Sequence, residues 1–197
     1  MASAAILSGG DARRFGGRDK GGLVIGGRTI RDRQLTMLAA VSDDIMIAGG
    51  RASGSYAVPV RLVADRRPGR GPLAGLEAVL EAARHELTVV VACDMPCVTA
   101  ELIARLLELA PDVDVVVPRT ESGYHPLCAV YRRTCLPIVS EQLDADRLAM
   151  KDLFPWLRVR VVSEPELAAF GDPQWLLANV NTPAQHDELE AFLIHEL

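Results

Sequence analysis

The sequence lacks a long apolar run, paired cysteines and an excess of positive charge, and each absence excludes a class of protein. No apolar run approaches the ~18–20 residues of a membrane span, so we expect no membrane partner. No basic segment precedes the short apolar run at the N-terminus, and glycines interrupt that run at once. We therefore expect no signal peptide and a cytoplasmic protein. The net charge of −5 argues against nucleic acid as a partner.

The four cysteines do not form a metal or redox pattern. Cys93, Cys97, Cys128 and Cys135 lack C-x-x-C spacing, and no pair of histidines completes a zinc site. We expect free, mostly buried thiols. The chain also lacks low-complexity tracts, internal repeats and a dividing linker. With 197 residues, about half of them apolar, it is predicted to fold as one domain, 1–197.

Short apolar segments alternate with helical patterns over roughly the first 120 residues. This alternation predicts an α/β fold with a doubly wound, mostly parallel sheet and flanking helices, in a Rossmann-like, three-layer α/β/α arrangement. The predicted strands are 4–7, 23–25, 44–48, 60–64, 88–93 and 113–117. The predicted helices are 29–41, 73 to about 85, and one from a cap at Thr99 to about 109.

The second half is less regular. We predict a polar loop at 119–126, strands at 127–131 and 159–162, and a helix at 137–143. Trp156 and Trp175 are candidates for the core. Thr182, Pro183 and Gln185 form the pattern of a capping box, which predicts the start of a final helix that runs to 197.

The stretch from Leu7 to Lys20 follows the first predicted strand and is rich in glycine and basic residues. Glycine lets backbone N–H groups approach an anion, and cationic side chains then neutralise its charge. From 11 to 33 there are seven basic and three acidic residues, a net charge of +4 in an acidic chain. The pattern indicates a phosphate site, although arginines 28–33 also fit a solvated face.

The stretch is neither of the two commonest phosphate loops. A Walker A motif requires a hydroxyl residue directly after its lysine, and here Gly21 follows Lys20. The run Gly9-Gly10-Asp11 breaks the spacing of G-x-G-x-x-G. The chain has 19 arginines and only two lysines, so the use of lysine at position 20 indicates a compact phosphate pocket.

Two aspartates follow predicted strands. Asp94 comes directly after a buried strand, where a carboxylate either caps a helix or binds Mg²⁺ together with substrate phosphates. Asp65 has the same placement. Because ligands bind beyond the carboxyl ends of parallel strands, we expect both near one phosphate-bearing ligand. Arg66, Arg67 and Arg70 could meet an anion or be solvated.

Five motifs in order carry a resemblance to a known family. They are Leu7-x-Gly9-Gly10-x-x-x-Arg14-x-Gly16-Gly17-x-Asp19-Lys20, Gly71-Pro72-Leu73-Ala74-Gly75-Leu76, Cys93-Asp94-Met95-Pro96, His125-Pro126-Leu127 and Asn179-Val180-Asn181-Thr182-Pro183. Together they resemble the molybdenum cofactor guanylyltransferases, the MobA family of nucleotidyltransferases. The resemblance runs from the first strand to the last helix.

The resemblance implies transfer of GMP from GTP to molybdopterin, or Mo-molybdopterin, with release of pyrophosphate. It implies Mg²⁺ as cofactor, held by Asp94, and cofactor-delivery or acceptor molybdoenzymes as further partners. It implies a nucleotide part at about 1–110 and a pterin part at about 111–197. The implied nucleotide and phosphate residues are Leu7, Ser8, Gly9, Gly10, Arg14, Lys20 and Asp65, with Lys20, Arg14 and Asp94 catalytic. The implied pterin-side residues are His125, Asn179 and Asn181.

The sequence departs from the family pattern at two places. Ser8 stands where alanine is usual, and Ala48-Gly49-Gly50 replaces a segment that often holds an asparagine. A side-chain amide for the nucleotide is therefore missing. A related nucleotidyltransferase that uses CTP or a sugar phosphate, and a nucleotide-binding module without catalysis, remain as alternatives.

Overall fold

A computed structural model describes residues 1–8, 20–49 and 56–195, with the backbone alone for 193–195. Ten strands and seven α-helices lie in these ranges. The strands are β1 Ser3–Leu7, β2 Val24–Ile25, β3 Arg28–Thr29, β4 Asp44–Ala48, β5 Arg61–Val63, β6 Leu87–Ala92, β7 Val115–Thr120, β8 Gly123–Tyr124, β9 Cys128–Arg132 and β10 Val159–Val162. The helices are α1 Ile30–Ala39, α2 Pro72–Ala82, α3 Ala100–Glu108, α4 Leu136–Asp144, α5 Glu164–Leu167, α6 Pro173–Leu176 and α7 Pro183–His195.

The main sheet has the strand order β10-β7-β9-β6-β1-β4-β5, with β8 paired to β7. Strand β1 lies in the interior of the sheet and pairs in parallel with β4 and β6, so that Leu7 is level with both Ala48 and Ala92. Only β8 and β9 run antiparallel to their partners in this sheet. The register places the carboxyl ends of β1, β4 and β6 at one edge. The prediction of a mostly parallel sheet is confirmed.

Helices cover both faces of the sheet. On one face, Leu35 and Leu38 of α1 and Leu102 and Leu106 of α3 pack in a core with alternate residues of β1, β4 and β6. On the other face, α2 and α4 pack against the remaining alternate residues of these strands. Strand β6 is apolar on both sides because both faces are covered. These three layers are the predicted α/β/α arrangement.

A small separate cluster holds the last helix against the segment that follows the glycine-rich stretch. Its buried members are Ile25, Ile30, Val180 and Leu189. Strands β2 and β3 form a two-stranded hairpin that leads into α1, whose cap Thr29 accepts a hydrogen bond from the Asp32 backbone N–H. The cluster therefore brings the residues near 20 and those near 180 together.

Each predicted strand and helix is present, with ends that shift by a few residues. Two predictions are wrong. The predicted loop at 119–126 is instead a hairpin of β7 and β8. Strand β7 passes through Pro118, whose carbonyl accepts from the His125 N–H, and the polar Arg119 is tolerated because it faces solvent. Trp156 is 67% exposed, because it ends the 3₁₀ helix Met150–Trp156 beside the edge strand β10 and no further layer of the described residues covers it.

The last helix begins as predicted, with a variation in its cap. Thr182 Oγ1 accepts from the Gln185 N–H at 3.2 Å, as in a capping box. The Gln185 side chain instead accepts from the Asn181 N–H at 2.8 Å. Helix α7 spans 13 residues.

No helix within the described ranges has the length and apolar character needed to cross a membrane.

Candidate functional site

The carboxyl ends of the three central strands are locked together in register. The Ser8 N–H donates to the Ala48 carbonyl at 2.8 Å, and the Cys93 N–H donates to the Leu7 carbonyl at 3.1 Å. Leu7 is buried, and its side chain lies against Gly75 of α2. The predicted contacts Leu7 and Ser8 therefore lie where β1 leaves the sheet. Ser8 after β1 and Cys93 after β6 lie at one edge, next to each other.

Lys20 and Asp94, 74 residues apart in sequence, form an ion pair at this edge. The Lys20 Nζ lies 3.0 Å from Asp94 Oδ2, and the two side chains are only 19% and 13% exposed. Lys20 opens a 3₁₀ turn, Lys20–Gly22, directly before β2. Asp94 lies in the turn that follows β6. A partly buried pair of this kind can offer both a cation and a carboxylate to a ligand.

Two asparagines from the segment before α7 complete the cluster. The Lys20 Nζ donates to Asn181 Oδ1 at 2.7 Å, and Asn179 Nδ2 donates to Asp94 Oδ1 at 2.7 Å. Between them, the Val180 N–H donates to the Asp94 carbonyl at 2.8 Å, and the Val180 side chain is buried. The structure therefore brings four predicted site residues into direct contact: Lys20, Asp94, Asn179 and Asn181.

The donor set of this cluster fits a magnesium ion. Mg²⁺ prefers oxygen ligands and is usually held by one or two carboxylates together with substrate phosphates. Asp94 provides a carboxylate whose two oxygens each accept one side-chain hydrogen bond from the described residues, which leaves each a lone pair. Nowhere in the ranges 1–8, 20–49 and 56–195 do three or more His, Cys, Asp or Glu side chains gather as a metal cage. Asp94 is the carboxylate available in this cluster.

Asp65 lies at the same edge but apart from the cluster. It follows β5, which is three strands away from β6, or about 14 Å at a spacing of ~4.8 Å per strand. Its Oδ1 accepts from the Arg67 N–H at 2.8 Å and so closes a tight turn. The separation from Asp94 is comparable to the length of an extended nucleotide, and the two aspartates are too far apart to share one ion.

The arginines beside Asp65 are ion-paired. Arg66 lies 3.0 Å from Glu81, and Arg67 lies 3.0 Å from Glu77 and 2.5 Å from Asp144. Arg70 pairs with Asp146. These bridges fix the loop against α2 and the end of α4. Arg28 and Arg33 likewise bond within the hairpin and α1, since Arg33 Nε donates to the Ile25 carbonyl at 3.0 Å.

His125 lies at a cavity that it shares with both asparagines. The cavity has a volume of about 540 Å³, and Thr120, Glu164 and Gln185 also line it. The ring Nε2 lies 2.9 Å from Thr120 Oγ1. Burial lowers the pKa of His125, so the imidazole is neutral at pH 7 and acts as a hydrogen-bonding group. The three predicted pterin-side residues thus line one pocket.

The predicted phosphate-site residues Gly9, Gly10 and Arg14 lie outside the described residues.

One residue of this region is missed by the sequence predictions. Gln34 of α1 is 2% exposed, and its Nε2 donates to the carbonyls of Ala92 at 2.7 Å and Met95 at 3.0 Å. These carbonyls lie on either side of Asp94. The available signal is a polar residue on the apolar side of a helix, one turn after Ile30 and next to Leu35.

Solved structures show the same fold as this chain. The chain superposes on molybdopterin-guanine dinucleotide biosynthesis protein A from Archaeoglobus fulgidus with a TM-score of 0.83, at 21% identity, covering 98% of this chain and 99% of that one. It also superposes on 2-C-methyl-D-erythritol 4-phosphate cytidylyltransferase from Thermus thermophilus, with a TM-score of 0.72, at 16% identity, covering 98% and 100%. At these identities the likeness shows the fold alone.

Sequence similarity identifies the family of the chain. The family described as "MobA-like NTP transferase domain" matches residues 4–161. The chain is 36% identical to the molybdenum cofactor guanylyltransferase of Desulfosudis oleivorans over 187 residues, 94% of this chain and 93% of that protein. It is 34% identical to the molybdenum cofactor guanylyltransferase of Pseudomonas entomophila over 185 residues, covering 90% and 97%. The chain belongs to the MobA-like NTP transferase family, and the resemblance inferred from the five motifs is confirmed.

Proposed function

We propose that the protein transfers GMP from GTP to molybdopterin, or to its molybdenum-bearing form, and so produces the guanine dinucleotide cofactor and pyrophosphate. The observation that carries this proposal is the joint contact of Lys20 with Asp94 and Asn181. This contact brings together a lysine of the phosphate-binding type, a carboxylate at a strand end and the cavity that His125 lines. Membership of the family and the guanylyltransferase relatives support the choice of reaction.

The proposed roles rest on the family resemblance and, for the described residues, on their positions at the carboxyl edge. One domain, 1–197, would bind the nucleotide with about 1–110 and the pterin with about 111–197. The phosphates would lie among Lys20, Arg14 and the backbone of Leu7, Ser8, Gly9 and Gly10, and Asp65 would bind the nucleoside end. The acceptor would occupy the cavity lined by His125, Asn179 and Asn181.

Asp94 would hold Mg²⁺, because it presents oxygen donors beside the lysine that meets the phosphates. When bound, the ion would neutralise charge on the triphosphate and on the departing pyrophosphate. The Asn179 amide donates to Oδ1 of Asp94 and holds the orientation of the carboxylate. The neighbouring Val180 N–H fixes the Asp94 backbone from the same side.

The chain's own groups have to bring two anions together and stabilise the charge that develops. An ionised phosphate oxygen of the acceptor forms a bond to the α-phosphorus of GTP in line. The bond from the α-phosphorus to the bridging oxygen breaks, and pyrophosphate leaves with that electron pair. The Lys20 ammonium offsets charge on the phosphates, and the fixed cluster supplies the geometry. No general base is needed, which agrees with a neutral His125 whose role is to hydrogen-bond the acceptor.

The test is the reaction with each nucleotide in turn. Purified protein is incubated with molybdopterin, MgCl₂ and either GTP or CTP, and both pyrophosphate and the dinucleotide product are measured. We expect pyrophosphate and the guanine dinucleotide with GTP only. Product with CTP alone would overturn the guanylyl assignment, and the absence of product with both would favour a binding module. Molybdoenzymes that deliver or receive the cofactor are the expected further partners, and product transfer to an apo-molybdoenzyme tests this.

A further inference from the structure

Gln34 is held in one orientation by the groups that it contacts. Both of its partners are backbone carbonyls, which accept hydrogen bonds and cannot donate them. The amide nitrogen must therefore face them, and the opposite orientation would set three carbonyl oxygens against one another. The Gln34 Oε1 is left buried without a hydrogen-bond partner among the described residues.

The buried Oε1 indicates that a glutamine stands here for the hydrogen bonds that its amide nitrogen donates. A buried polar atom without a partner is destabilising, and an apolar side chain of similar shape would avoid that cost. Gln34 retains the amide and makes two hydrogen bonds to the turn at 92–95. That turn is otherwise closed by a bond from the Met95 N–H to the Ala92 carbonyl at 3.2 Å. Gln34 therefore fixes both ends of the turn that presents Asp94.

The same helix is tied to Lys20. The Leu23 N–H donates to the Lys20 carbonyl at 3.1 Å, and the Ile30 N–H donates to the Leu23 carbonyl at 2.9 Å. Gln34 lies one helical turn after Ile30, on the same face of α1. A closed circuit of contacts thus runs from Lys20 through α1 and Gln34 to Asp94, and back to Lys20. The circuit sets the position of the lysine relative to the carboxylate.

We propose that Gln34 is a positioning residue that fixes the Asp94 carboxylate and the Lys20 ammonium for the metal-bound triphosphate. This inference rests on the proposed function of the site. Outer contacts of this kind typically change metal affinity or activity about 10- to 100-fold. We therefore expect Gln34→Met to raise the metal concentration for half-maximal activity about 10-fold, with a smaller change in stability.

The matched control is Gln142→Met. Gln142 is also a glutamine that is 2% exposed, but it lies on α4, on the opposite face of the sheet, and its side chain accepts from Arg147 at 2.6 Å. Thermal unfolding of both variants measures the cost of losing a buried amide. Hydrogen exchange of the protein without ligands is expected to quicken at Cys93–Met95 in Gln34→Met and to be unchanged there in Gln142→Met.

Metal binding is read directly by Mn²⁺ electron paramagnetic resonance in the presence of GTP. We expect Gln34→Met to weaken Mn²⁺ binding about 10-fold or more, and Gln142→Met to leave it within about twofold. Gln34→Glu replaces the donating nitrogen with an acceptor, so it should show the same changes more strongly. Gln34→Glu also tests the proposal if Gln34→Met does not fold.

The outcomes separate this inference from the proposed function. If both glutamine variants lose stability alike while exchange at Cys93–Met95 and Mn²⁺ binding stay at the wild-type level, Gln34 is merely structural and the proposal is overturned. If the wild-type protein gives no product with GTP, the proposed function fails. The exchange measurement then still decides whether Gln34 fixes the turn, because it requires neither metal nor substrate.

Discussion

Both edges of the sheet carry aspartates, but these aspartates differ in the number of hydrogen bonds that they accept. At the amino edge, Asp44 at the start of β4 and Asp114 before β7 each accept four hydrogen bonds from the described part of the chain. At the carboxyl edge, Asp94 accepts two side-chain bonds and Asp65 accepts one backbone bond within the same part. Counting the bonds from described residues, the amino-edge carboxylates are saturated, whereas the carboxyl-edge ones retain acceptor capacity.

Burial alone does not separate the two kinds of aspartate. The Asp114 side chain is 15% exposed and that of Asp94 is 13% exposed, yet within the described part of the chain Asp114 accepts four hydrogen bonds and Asp94 accepts two. Burial by itself would raise the pKa of Asp44, but the Ser3 hydroxyl, the Arg84 N–H and the Arg61 guanidinium together lower it. Saturation by donors therefore distinguishes a stabilising carboxylate from one that can bind a ligand.

The largest expected effect is on stability, from Asp44→Ala. Removing this carboxylate leaves the Ser3 hydroxyl, the Arg61 guanidinium and the Arg84 N–H without their shared acceptor. Breaking a buried pair costs about 3–5 kcal/mol of the free energy of unfolding, which urea titration measures. The kcat/KM of the folded protein should change little, since β1 separates this edge from the site by about 17 Å.

The neighbouring residue provides the control for Asp44. Asp43 is 61% exposed and lies 2.7 Å from His85. Its replacement by alanine should cost about 1 kcal/mol or less, as for a surface pair. Equal losses in the two variants would contradict the view that saturation at Asp44 stabilises the fold.

Asp94→Asn should have effects opposite to those of Asp44→Ala: a large loss of activity and a small change in stability. The side chain keeps its shape and loses its charge, so we expect kcat/KM for GTP to fall about 10²- to 10³-fold. The free energy of unfolding should change by about 1 kcal/mol or less, because two donors rather than four contact this carboxylate. Steady-state pyrophosphate release and urea titration measure the two quantities. Normal turnover in this variant would remove Asp94 from the proposed metal site.

Lys20→Arg tests the cationic side of the site. The Lys20 ammonium bonds to both Asp94 and Asn181 as a compact group, and a planar guanidinium cannot occupy the same position. We expect kcat/KM to fall about 10- to 100-fold. Lys151→Arg is the matched control, because Lys151 is the only other lysine and is exposed. If arginine at position 20 supports full activity, charge alone matters there and the compact pocket is not needed.

The fold and the edge that carries the site follow from local patterns in the sequence. Strand β6 is a run of β-branched residues, and Thr29 and Thr99 act as the predicted caps of α1 and α3. Because parallel strands end at one edge, the positions of Asp65 and Asp94 after their strands could also be predicted. Each of these inferences depends on residues that are close in sequence.

The contacts across the site could not be predicted in the same way. Lys20 meets Asn181 across 161 residues, and Gln34 meets Ala92 across 58. Such pairs depend on how α1 packs on the sheet and how α7 packs against β2, which no local pattern encodes. The hairpin at 119–124 escapes prediction because the solvent-facing Arg119 has the polarity of a loop residue. The prediction for Trp156 is wrong because a large aromatic side chain alone does not show whether another layer covers it.

The smallest expected effect concerns Asp114 and acid. The Arg158 guanidinium and backbone N–H hold the pKa of Asp114 at about 2, below the ~3.9 of an unfolded aspartate. Its contribution to stability is therefore complete above about pH 4 and is lost as the pH falls from about 4 to about 2. We expect Asp114→Asn to cost roughly 1–2 kcal/mol of unfolding free energy at pH 7 and close to nothing at pH 2. Urea titrations at both pH values measure this, and Asp112→Asn, at an exposed neighbouring position, is the control. A loss that is the same at pH 7 and pH 2 would mean that the charge of Asp114 is not what stabilises the amino edge, and the contrast between the edges would then rest on Asp44 alone.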